Sequence, residues 1–210
     1  MNRPSLLSRR RLLGGVASVV AAPTLLTPAL AQASRLPTPS QTEGPFYPLV
    51  LPADSDADLL RNGPLLYAHG APAWVEGVVT DMTGVPVRGA QVEIWQCDHQ
   101  GHYHHPGDGD RADRAFQGFG RVAVDAQGAY RFRTLRPVAY SGRTPHIHVK
   151  VRLGDRAVLT TQLYVAGDPG NERDPLWRRL RGDTERAALT VPFVHGADGL
   201  RARFPIVLAL

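Results

Sequence analysis

Short runs in which hydrophobic and polar residues alternate follow one another from Ala73 to the end of the chain. In residues 90–95, apolar side chains occupy every second position, which is the period of a strand with one buried face. Turn-forming residues separate these runs, as in the sequence Asp-Ala-Gln-Gly at residues 125–128. The same pattern predicts further strands at residues 74–80, 129–133, 145–152, 159–165 and 204–208.

Helical signals are sparse. One short helix is predicted after Asp174, because aspartate caps helices and Pro175 suits the first helical position. Many short strands with so little helix predict an all-β fold, an antiparallel β-sandwich. The 21 glycines and 18 prolines supply the turns that such a fold needs.

Residues 32–72 are rich in Pro, Ser, Asp and Leu and show no sustained periodicity. They predict an irregular N-terminal arm that lies across the surface of the main domain. The chain has 210 residues, of which 43% are hydrophobic and 20% charged, a composition that excludes disordered and coiled-coil proteins. The predicted organisation is a leader at residues 1–31, the arm at residues 32–72 and one sandwich domain at residues 73–210.

The leader has the features of an export signal. Arg9, Arg10 and Arg11 form a twin-arginine pattern, a mildly apolar stretch follows, and Ala-Leu-Ala at residues 29–31 resembles a cleavage site. Gly and Pro within the apolar stretch make it a poor membrane span. The leader predicts export by the twin-arginine route to the periplasm or the cell exterior, a route that often carries folded proteins with a metal or cofactor already inserted.

The net charge of +5 comes almost entirely from this leader, which holds four arginines and no acidic residue. The rest of the chain is nearly neutral, which argues against a nucleic-acid partner. Cys97 is the only cysteine, so the chain can form no internal disulfide. We interpret Cys97 as a small core or strand residue.

The sequence Pro-His-Ile-His-Val-Lys-Val at residues 145–151 lies in a predicted strand. Because side chains alternate across a strand, His146 and His148 share one face, whereas Ile147, Val149 and Val151 point into the core. Two imidazoles about 7 Å apart on one face suit a shared metal ion. The alternative is a pair of polar side chains on a solvated face, and other residues must decide between the two.

A second histidine-rich segment precedes it in the chain. It contains His99, His102, Tyr103, His104 and His105. On composition alone, this segment is consistent with binding of copper, nickel or zinc. The alternative is a polar loop in which only one residue has a functional role.

Four sequence blocks occur in a defined order: Thr-Glu-Gly-Pro-Phe-Tyr-Pro at residues 42–48; Gly-Ala-Gln-Val-Glu-Ile-Trp-Gln at 89–96, running on to Gly-His-Tyr at 101–103; Gly-Ala-Tyr-Arg-Phe-Arg-Thr at 128–134, with Pro137 and Tyr140; and Arg-Thr-Pro-His-Ile-His at 143–148. In order and spacing, these blocks resemble the intradiol ring-cleavage dioxygenases, whose members include protocatechuate 3,4-dioxygenase and catechol 1,2-dioxygenase. The resemblance covers residues 42–165 and reappears at residues 204–208.

The resemblance implies one non-haem Fe(III) per chain, held by Tyr103, Tyr140, His146 and His148. Two phenolates stabilise a hard, highly charged ferric ion far more than neutral ligands do. Tyr140 is the ligand that the substrate is expected to displace, and Tyr103 is the one expected to stay. Without the resemblance, either tyrosine would be interpreted as structural.

The implied reaction cleaves a catechol-type ring between its two hydroxyl-bearing carbons. Both atoms of dioxygen enter the product, a cis,cis-muconate-type diacid, and no external reductant is needed. The expected small-molecule partners are therefore a catechol and dioxygen, with no nucleic acid and no stable membrane span. A homodimer is the expected assembly.

Four further residues match pocket positions of the family. Arg143 would place a permanent positive charge over the ring, its alternative being a surface ion pair. Gln162 would form a hydrogen bond near the ring or dioxygen, its alternative being a sheet residue with satisfied amide groups. Trp95 and Tyr47 would line the substrate pocket, and a core position for Trp95 and a packing role for Tyr47 remain open.

Some features depart from the family or favour another class of protein. Residues 141–145 form a shorter loop than the protocatechuate enzymes have there, so the sequence does not predict which catechol is cleaved. Residues 77–90 resemble transthyretin-like and carboxypeptidase regulatory-like domains, which leaves open a catalytically silent binding module. A His-rich zinc- or copper-binding protein is the other alternative.

Overall fold

The computed structural model describes residues 35–210, and the predicted leader lies outside the described residues. The strands of the described part are β1 (Arg61–Asn62), β2 (Leu65–Leu66), β3 (Pro72–Asp81), β4 (Ala90–Trp95), β5 (Phe119–Ala123), β6 (Ala129–Leu135), β7 (His146–Leu153), β8 (Arg156–Val165), β9 (Thr190–Val191), β10 (Val194–Gly196), β11 (Gly199–Arg203) and β12 (Ile206–Leu208). The helices are α1 (Pro175–Arg178) and α2 (Gly182–Leu189), with 3-10 turns at Pro106–Asp108 and Asn171–Arg173.

Two five-stranded sheets form the body of the fold. One has the order β10-β11-β3-β12 with β6 also paired to β3, and the other has the order β5-β4-β7-β8-β9. Most neighbours are antiparallel, whereas β11 and β12 run parallel to successive halves of β3, and β9 runs parallel to β8. The predicted all-β sandwich is confirmed, and these parallel pairings are the difference from a purely antiparallel one.

All the strands predicted from alternation are present, as β3, β4, β6, β7, β8 and β12. The pattern does not predict β5 and β9 to β11, because these strands are short and lack a regular alternation of buried and exposed residues. The predicted short helix is α1, in which Asp174 accepts hydrogen bonds from the Leu176 and Trp177 N–H groups. The pattern also misses α2, of which only Leu189 is buried. No helix within residues 35–210 is long and apolar enough to span a membrane.

The core lies between the two sheets. Ile147, Val149 and Val151 of β7 pack there against Val75 of β3 and Phe132 of β6, all of them almost fully buried. This confirms the predicted inward face of β7. The opposite face of β7 therefore points away from the core, and the candidate site lies on that side.

The described part of the arm is irregular apart from the β1-β2 hairpin. It crosses the edge of the sandwich and makes backbone hydrogen bonds, from Thr38 N to the Val207 carbonyl at 2.9 Å and from Gln41 N to the Thr160 carbonyl at 2.8 Å. Thr161 Oγ1 donates to the Pro39 carbonyl at 2.7 Å. These contacts lead residues 42–47 onto the outer face of β7 and β8.

A substitution at Gly77 of β3 tests how closely this strand approaches the backbone at Phe204. A Cβ atom at this position would lie 2.1 Å from the Phe204 carbonyl oxygen, a distance that only a backbone shift can relieve. We expect Gly77→Ala to lower the free energy of unfolding by about 2–3 kcal/mol, measured by urea denaturation. Val78→Ala is the matched control, since Val78 is 38% exposed. Equal losses in the two variants would contradict this packing.

Candidate metal centre

The outer face of the second sheet carries the two predicted histidines. His148 pairs with Trp95 of β4 on one side and with Gln162 of β8 on the other. His146 and His148 are 0% and 1% exposed, so they do not lie on a solvated face. The arm and two loops cover this face and turn it into a second, smaller interior.

The two predicted tyrosines reach the same place from loops. Tyr103 follows β4 and Tyr140 follows β6, and their ring centroids are 5.0 Å apart. Tyr140 Oη lies 3.2 Å from His146 Nε2, and the rings of His146 and His148 are 4.8 Å apart. The structure therefore brings Tyr103, Tyr140, His146 and His148 together.

Glycines allow this close approach at two points. Gly44 and Gly101 have φ angles of +74° and +87°, which L side chains rarely adopt. A Cβ at Gly44 would lie 3.2 Å from His148 Cε1, and a Cβ at Gly101 would lie 3.1 Å from Tyr140 Cβ. Each glycine lets the backbone pass directly against one of the four side chains.

Several polar atoms of the cluster lack a hydrogen-bond partner, and the others face one another within it. His146 Nδ1 lies 2.6 Å from the Thr144 carbonyl, which places the proton on Nδ1 and leaves the Nε2 lone pair facing the cluster. Tyr103 Oη and both ring nitrogens of His148 are buried without a hydrogen-bond partner among residues 35–210. Unpaired buried polar atoms are costly, so their convergence fits a site that holds a metal ion.

Burial shifts the pKa of each group toward its neutral form. It lowers the pKa of His146 to about 4 and that of His148 well below its usual range, and the Arg143 charge adds to both effects. It raises the pKa of Tyr140 and holds that of Tyr103 well above the usual value. The imidazoles are thus neutral, as metal ligands must be, and a bound cation would have to displace the phenol protons.

Aromatic stacking fixes two of the rings. Trp95 stacks on His148 with ring centroids 4.7 Å apart and an interplanar angle of 9°. Phe46 of the arm stacks on Tyr103 at 4.6 Å. Tyr47 meets the edge of Trp95 at 5.0 Å, and its hydroxyl donates to Glu93 at 2.8 Å. Stacking therefore orients His148, which no hydrogen bond holds.

Arg143 is held at the edge of the cluster by two partners. Its Nε donates to Asp174 Oδ2 and its Nη2 to Gln162 Oε1, both at 2.7 Å. Both ends of the Gln162 amide are occupied, because its Nε2 also donates to the Thr42 carbonyl at 3.1 Å. The Arg143 side chain is 17% exposed, so its ion pair with Asp174 is largely buried.

Asp174, which the sequence pattern identified only as a helix cap, also binds Arg143 at the edge of the cluster. Its carboxylate is fully buried and accepts hydrogen bonds from Arg143, from Thr144 N at 3.0 Å and from the first N–H groups of α1. Burial opposes its charge, but these hydrogen bonds outweigh it and hold the pKa of Asp174 below its ordinary value. No sequence signal links it to Arg143, which lies 31 residues away.

Each imidazole of the histidine-rich segment has a local hydrogen-bond partner. His99 bonds to Tyr67, His102 to Asp108, His104 to the Phe116 carbonyl and His105 to Gly107 N. Among residues 35–210 no group of three or more His, Cys, Asp or Glu side chains is placed to hold a metal ion. Only Tyr103 of this segment joins the cluster.

Cys97 lies two residues after β4, beside Trp95 and Tyr103. It is a free, buried thiol, and burial raises its pKa to about 12. This agrees with its interpretation as a small core residue. An un-ionised buried thiol is unreactive.

Comparison with known proteins decides the family. A family model described as a dioxygenase matches residues 42–209. The chain belongs to the intradiol dioxygenase family. The matched residues include all four side chains of the cluster. They also include the arm segment that covers the cluster and the strand that carries the two histidines.

Relatives of this family member include a hydroxyquinol 1,2-dioxygenase from Corynebacterium glutamicum, 35% identical over 173 residues that cover 68% of this chain and 55% of that protein. The beta chain of protocatechuate 3,4-dioxygenase from Burkholderia cepacia is 39% identical over 138 residues, 59% of this chain and 57% of that protein. The chain thus spans little more than half the length of these curated relatives.

Among solved structures, the dioxygenase domain of a fusion of a dioxygenase with a carbohydrate-binding protein, from the cellulolytic bacterium Streptomyces sp. SirexAA-E, is similar to this chain. The TM-score is 0.64 at 33% identity, and the alignment covers 83% of this chain and 99% of that domain. The family fold therefore extends over nearly all the described residues.

Removal of the Asp174 carboxylate tests how much this residue stabilises the candidate site. We expect Asp174→Ala to lower the free energy of unfolding by about 3 kcal/mol, because it leaves Arg143 without its buried partner and α1 without its cap. Urea denaturation measures this loss. Asp183→Ala is the matched control, since the Asp183 side chain is fully exposed, and its effect should stay within about 0.5 kcal/mol. An equally small effect of Asp174→Ala would contradict this stabilising role of Asp174.

Proposed function

We propose that this intradiol dioxygenase family member cleaves a catechol-type ring between its hydroxyl-bearing carbons, with dioxygen, to a cis,cis-muconate-type diacid. One observation carries the proposal: two phenols and two neutral imidazoles converge in a buried cluster in which Tyr103 Oη and His148 have no other partner. The family membership and the names of the relatives, which are dioxygenases of hydroxyquinol, catechol and protocatechuate, support it.

We assign the cluster to one non-haem Fe(III) per chain. Tyr103, Tyr140, His146 and His148 would hold it, and the two phenolic oxygens are hard donors that suit a ferric ion. When bound, the ferric ion supplies a Lewis acid that withdraws charge from a coordinated catechol and makes its ring reactive toward dioxygen.

The two tyrosines have different surroundings, which supports different roles. Tyr103 is 3% exposed and is covered by Phe46, whereas Tyr140 is only partly buried. With a ferric ion bound, both tyrosines would be phenolates, and the more accessible Tyr140 Oη would be the one to accept a proton from an incoming catechol hydroxyl. Tyr103 stays in place under Phe46, and this aromatic cover excludes water from the cluster.

Arg143 supplies the fixed positive charge. Asp174 and Gln162 hold the guanidinium at the edge of the cluster, where it stabilises negative charge that develops on the ring. Gln162 acts mainly through this bond, because both ends of its amide are occupied. Trp95 keeps the His148 ring in place, and Tyr47 contributes by packing against Trp95 while its hydroxyl is bound to Glu93.

We also infer that the protein is exported and acts on its catechol outside the cytoplasm. The twin-arginine pattern at residues 9–11 and the Ala-Leu-Ala sequence at residues 29–31 support this. A single buried cysteine is compatible with export of an already folded chain.

Metal content and colour test the proposal first. The purified protein, loaded with ferric iron, should contain one iron per chain and show a visible band from tyrosinate-to-iron charge transfer. The band should shift when catechol is added without oxygen, and admission of air should consume one dioxygen per catechol with formation of the diacid. A protein that stays colourless with ferric iron and consumes no oxygen would overturn the assignment.

Single substitutions separate the ligands from the charged residue. Tyr103→Phe, His146→Ala and His148→Ala should lose iron and all activity, because each removes a donor. Arg143→Ala should keep the iron band but lower kcat by about 100-fold, since a fixed charge over the ring is lost. Arg178→Ala, on the nearby helix α1, controls for a general loss of positive charge. Full activity in an iron-free His146→Ala protein would contradict the ligand assignment.

A further inference from the structure

The only lysine of the chain lies beneath the arm. Lys150 is one of 24 basic residues, all the others being arginine, and it is 5% exposed. It follows His148 by two positions on β7, so its side chain lies on the outer face of the second sheet with the histidines. Burial of a charged group is costly unless partners surround it, so the partners of Lys150 indicate its role.

Two partners of the ammonium group come from the arm. Lys150 Nζ forms an ion pair with the Glu43 carboxylate and lies 3.3 Å from the centroid of the Tyr47 ring, which is a cation–π contact. Glu43 and Tyr47 are the two ends of residues 43–47, which we call the covering segment. One ammonium group therefore holds both ends of the covering segment against β7.

The middle of the covering segment lies directly on the donor cluster. A Cβ atom at Gly44 would lie 3.2 Å from His148 Cε1, so the backbone passes against this imidazole. Phe46 stacks on Tyr103 with ring centroids 4.6 Å apart. Displacement of the covering segment would therefore uncover one imidazole and one phenol of the cluster.

The end of the covering segment acts on the cluster through a neighbouring ring. Tyr47 meets the edge of Trp95 at 5.0 Å, and Trp95 stacks on His148 at 4.7 Å. His148 has no hydrogen-bond partner in the described part of the chain, so these aromatic contacts orient its ring. The position of Tyr47 thus affects a candidate metal ligand.

The shape of the ammonium group suits this position. The Lys150 side chain is 6% exposed and ends between a carboxylate and the face of an aromatic ring. An ammonium group is a compact point charge, whereas a guanidinium group is planar and larger. An arginine would need space that Glu43 and Tyr47 occupy, which agrees with the use of lysine here in a chain that otherwise uses arginine.

We propose that Lys150 is a positioning residue, whose compact ammonium group holds the covering segment over the donor cluster and so keeps the metal ligands in place. Lys150 is not one of the four donors, and it acts through Glu43 and Tyr47. Its effect on a bound ferric ion rests on the proposed function. Its effect on the covering segment does not depend on iron.

Lys150→Met removes the charge and keeps the apolar stem of the side chain. The fold should tolerate this change, because no carboxylate is left both buried and unpaired. The Glu43 side chain is 44% exposed and can turn to water. Glu93, which lies opposite Lys150 on β4, keeps its two hydrogen bonds from Arg121.

Chymotrypsin cleavage of the metal-free protein measures release of the covering segment. In Lys150→Met, cleavage after Phe46 should be about tenfold faster than in the wild type, because an ion pair and a cation–π contact are lost. Cleavage after Phe132, which is fully buried in the sandwich core, is the internal reference for unfolding of the whole domain. Mass spectrometry distinguishes the two cuts. An unchanged rate at Phe46, or an equal rise at Phe132, would overturn the proposal.

Arg131→Met is the matched control on the other sheet. Arg131 of β6 also combines an ion pair with a cation–π contact, since its Nε lies 3.6 Å from the Glu76 carboxylate and its Cζ lies 3.7 Å from the centroid of the Trp74 ring. Its loss should leave cleavage after Phe46 within about twofold of the wild-type rate. Equal increases in the two variants would contradict a specific role of Lys150.

Lys150→Arg separates the charge from its shape. Because the guanidinium group does not fit between Glu43 and Tyr47, cleavage after Phe46 should be nearly as fast as in Lys150→Met. A wild-type rate in Lys150→Arg would show that charge alone suffices, and it would overturn the requirement for a compact ammonium group.

Iron release connects the covering segment with the donor cluster. Iron-loaded Lys150→Met should keep the tyrosinate-to-iron band but lose iron to the chelator EDTA about tenfold faster than the wild type, because the groups that orient its ligands are loosened. Glu43→Gln should also release iron faster. The double variant should be no faster than Lys150→Met alone, since both changes break the same link. Additive effects would contradict this link.

The two measurements distinguish failure of this proposal from failure of the proposed function. A wild-type protein that binds no ferric iron, but whose Lys150→Met variant is cleaved faster after Phe46, would refute the proposed function alone. An iron-binding wild type whose Lys150→Met variant shows unchanged cleavage and unchanged iron release would refute the role of Lys150 alone.

Discussion

The alternation of side chains along β7 determines what both faces of the second sheet can do. Ile147 and Val149 enter the sandwich core, so His146 and His148 must face the other way. A slip of one residue in pairing would exchange the two faces, placing imidazoles among branched aliphatic side chains. The hydrophobic core therefore holds the two histidines in register, and β4 and β8 place Trp95 and Gln162 beside His148.

The outer face becomes chemically useful only because the arm and loops bury it. Burial keeps the imidazoles neutral, and among residues 35–210 Tyr103 Oη and His148 have no hydrogen-bond partner. These unpaired atoms disfavour the folded state, so the surrounding structure must hold them in place. Asp174 contributes by joining Arg143, the start of β7 and helix α1 at one carboxylate.

The sequence predicts the parts of this site that follow from periodicity, and misses those that depend on distant contacts. Alternation alone places His146 and His148 on one face. It says nothing about Tyr103 and Tyr140, which stand in loops and enter the prediction through resemblance to the family. The pairing of Arg143 with Asp174 has no local signature. In the histidine-rich segment the composition is consistent with a metal site, but each of the four imidazoles has a local partner, which favours the alternative of a polar loop.

The charged side chains that hold Tyr47 and Trp95 in place also come from distant parts of the chain. Lys150, the only lysine of the chain, lies two residues after His148 and therefore shares its face of β7. Its ammonium is paired with Glu43 and lies 3.3 Å from the centroid of the Tyr47 ring.

Glu93, opposite Lys150 on β4, accepts the Tyr47 hydroxyl and two hydrogen bonds from Arg121, so each buried charge in this group has a partner. Tyr47 in turn packs on Trp95, which stacks on His148. The orientation of His148 thus depends, through the rings of Trp95 and Tyr47, on this group of charged side chains. Only the folded arm brings Glu43 and Tyr47 to that network, so the arm contributes to the geometry of the metal centre as well as covering it.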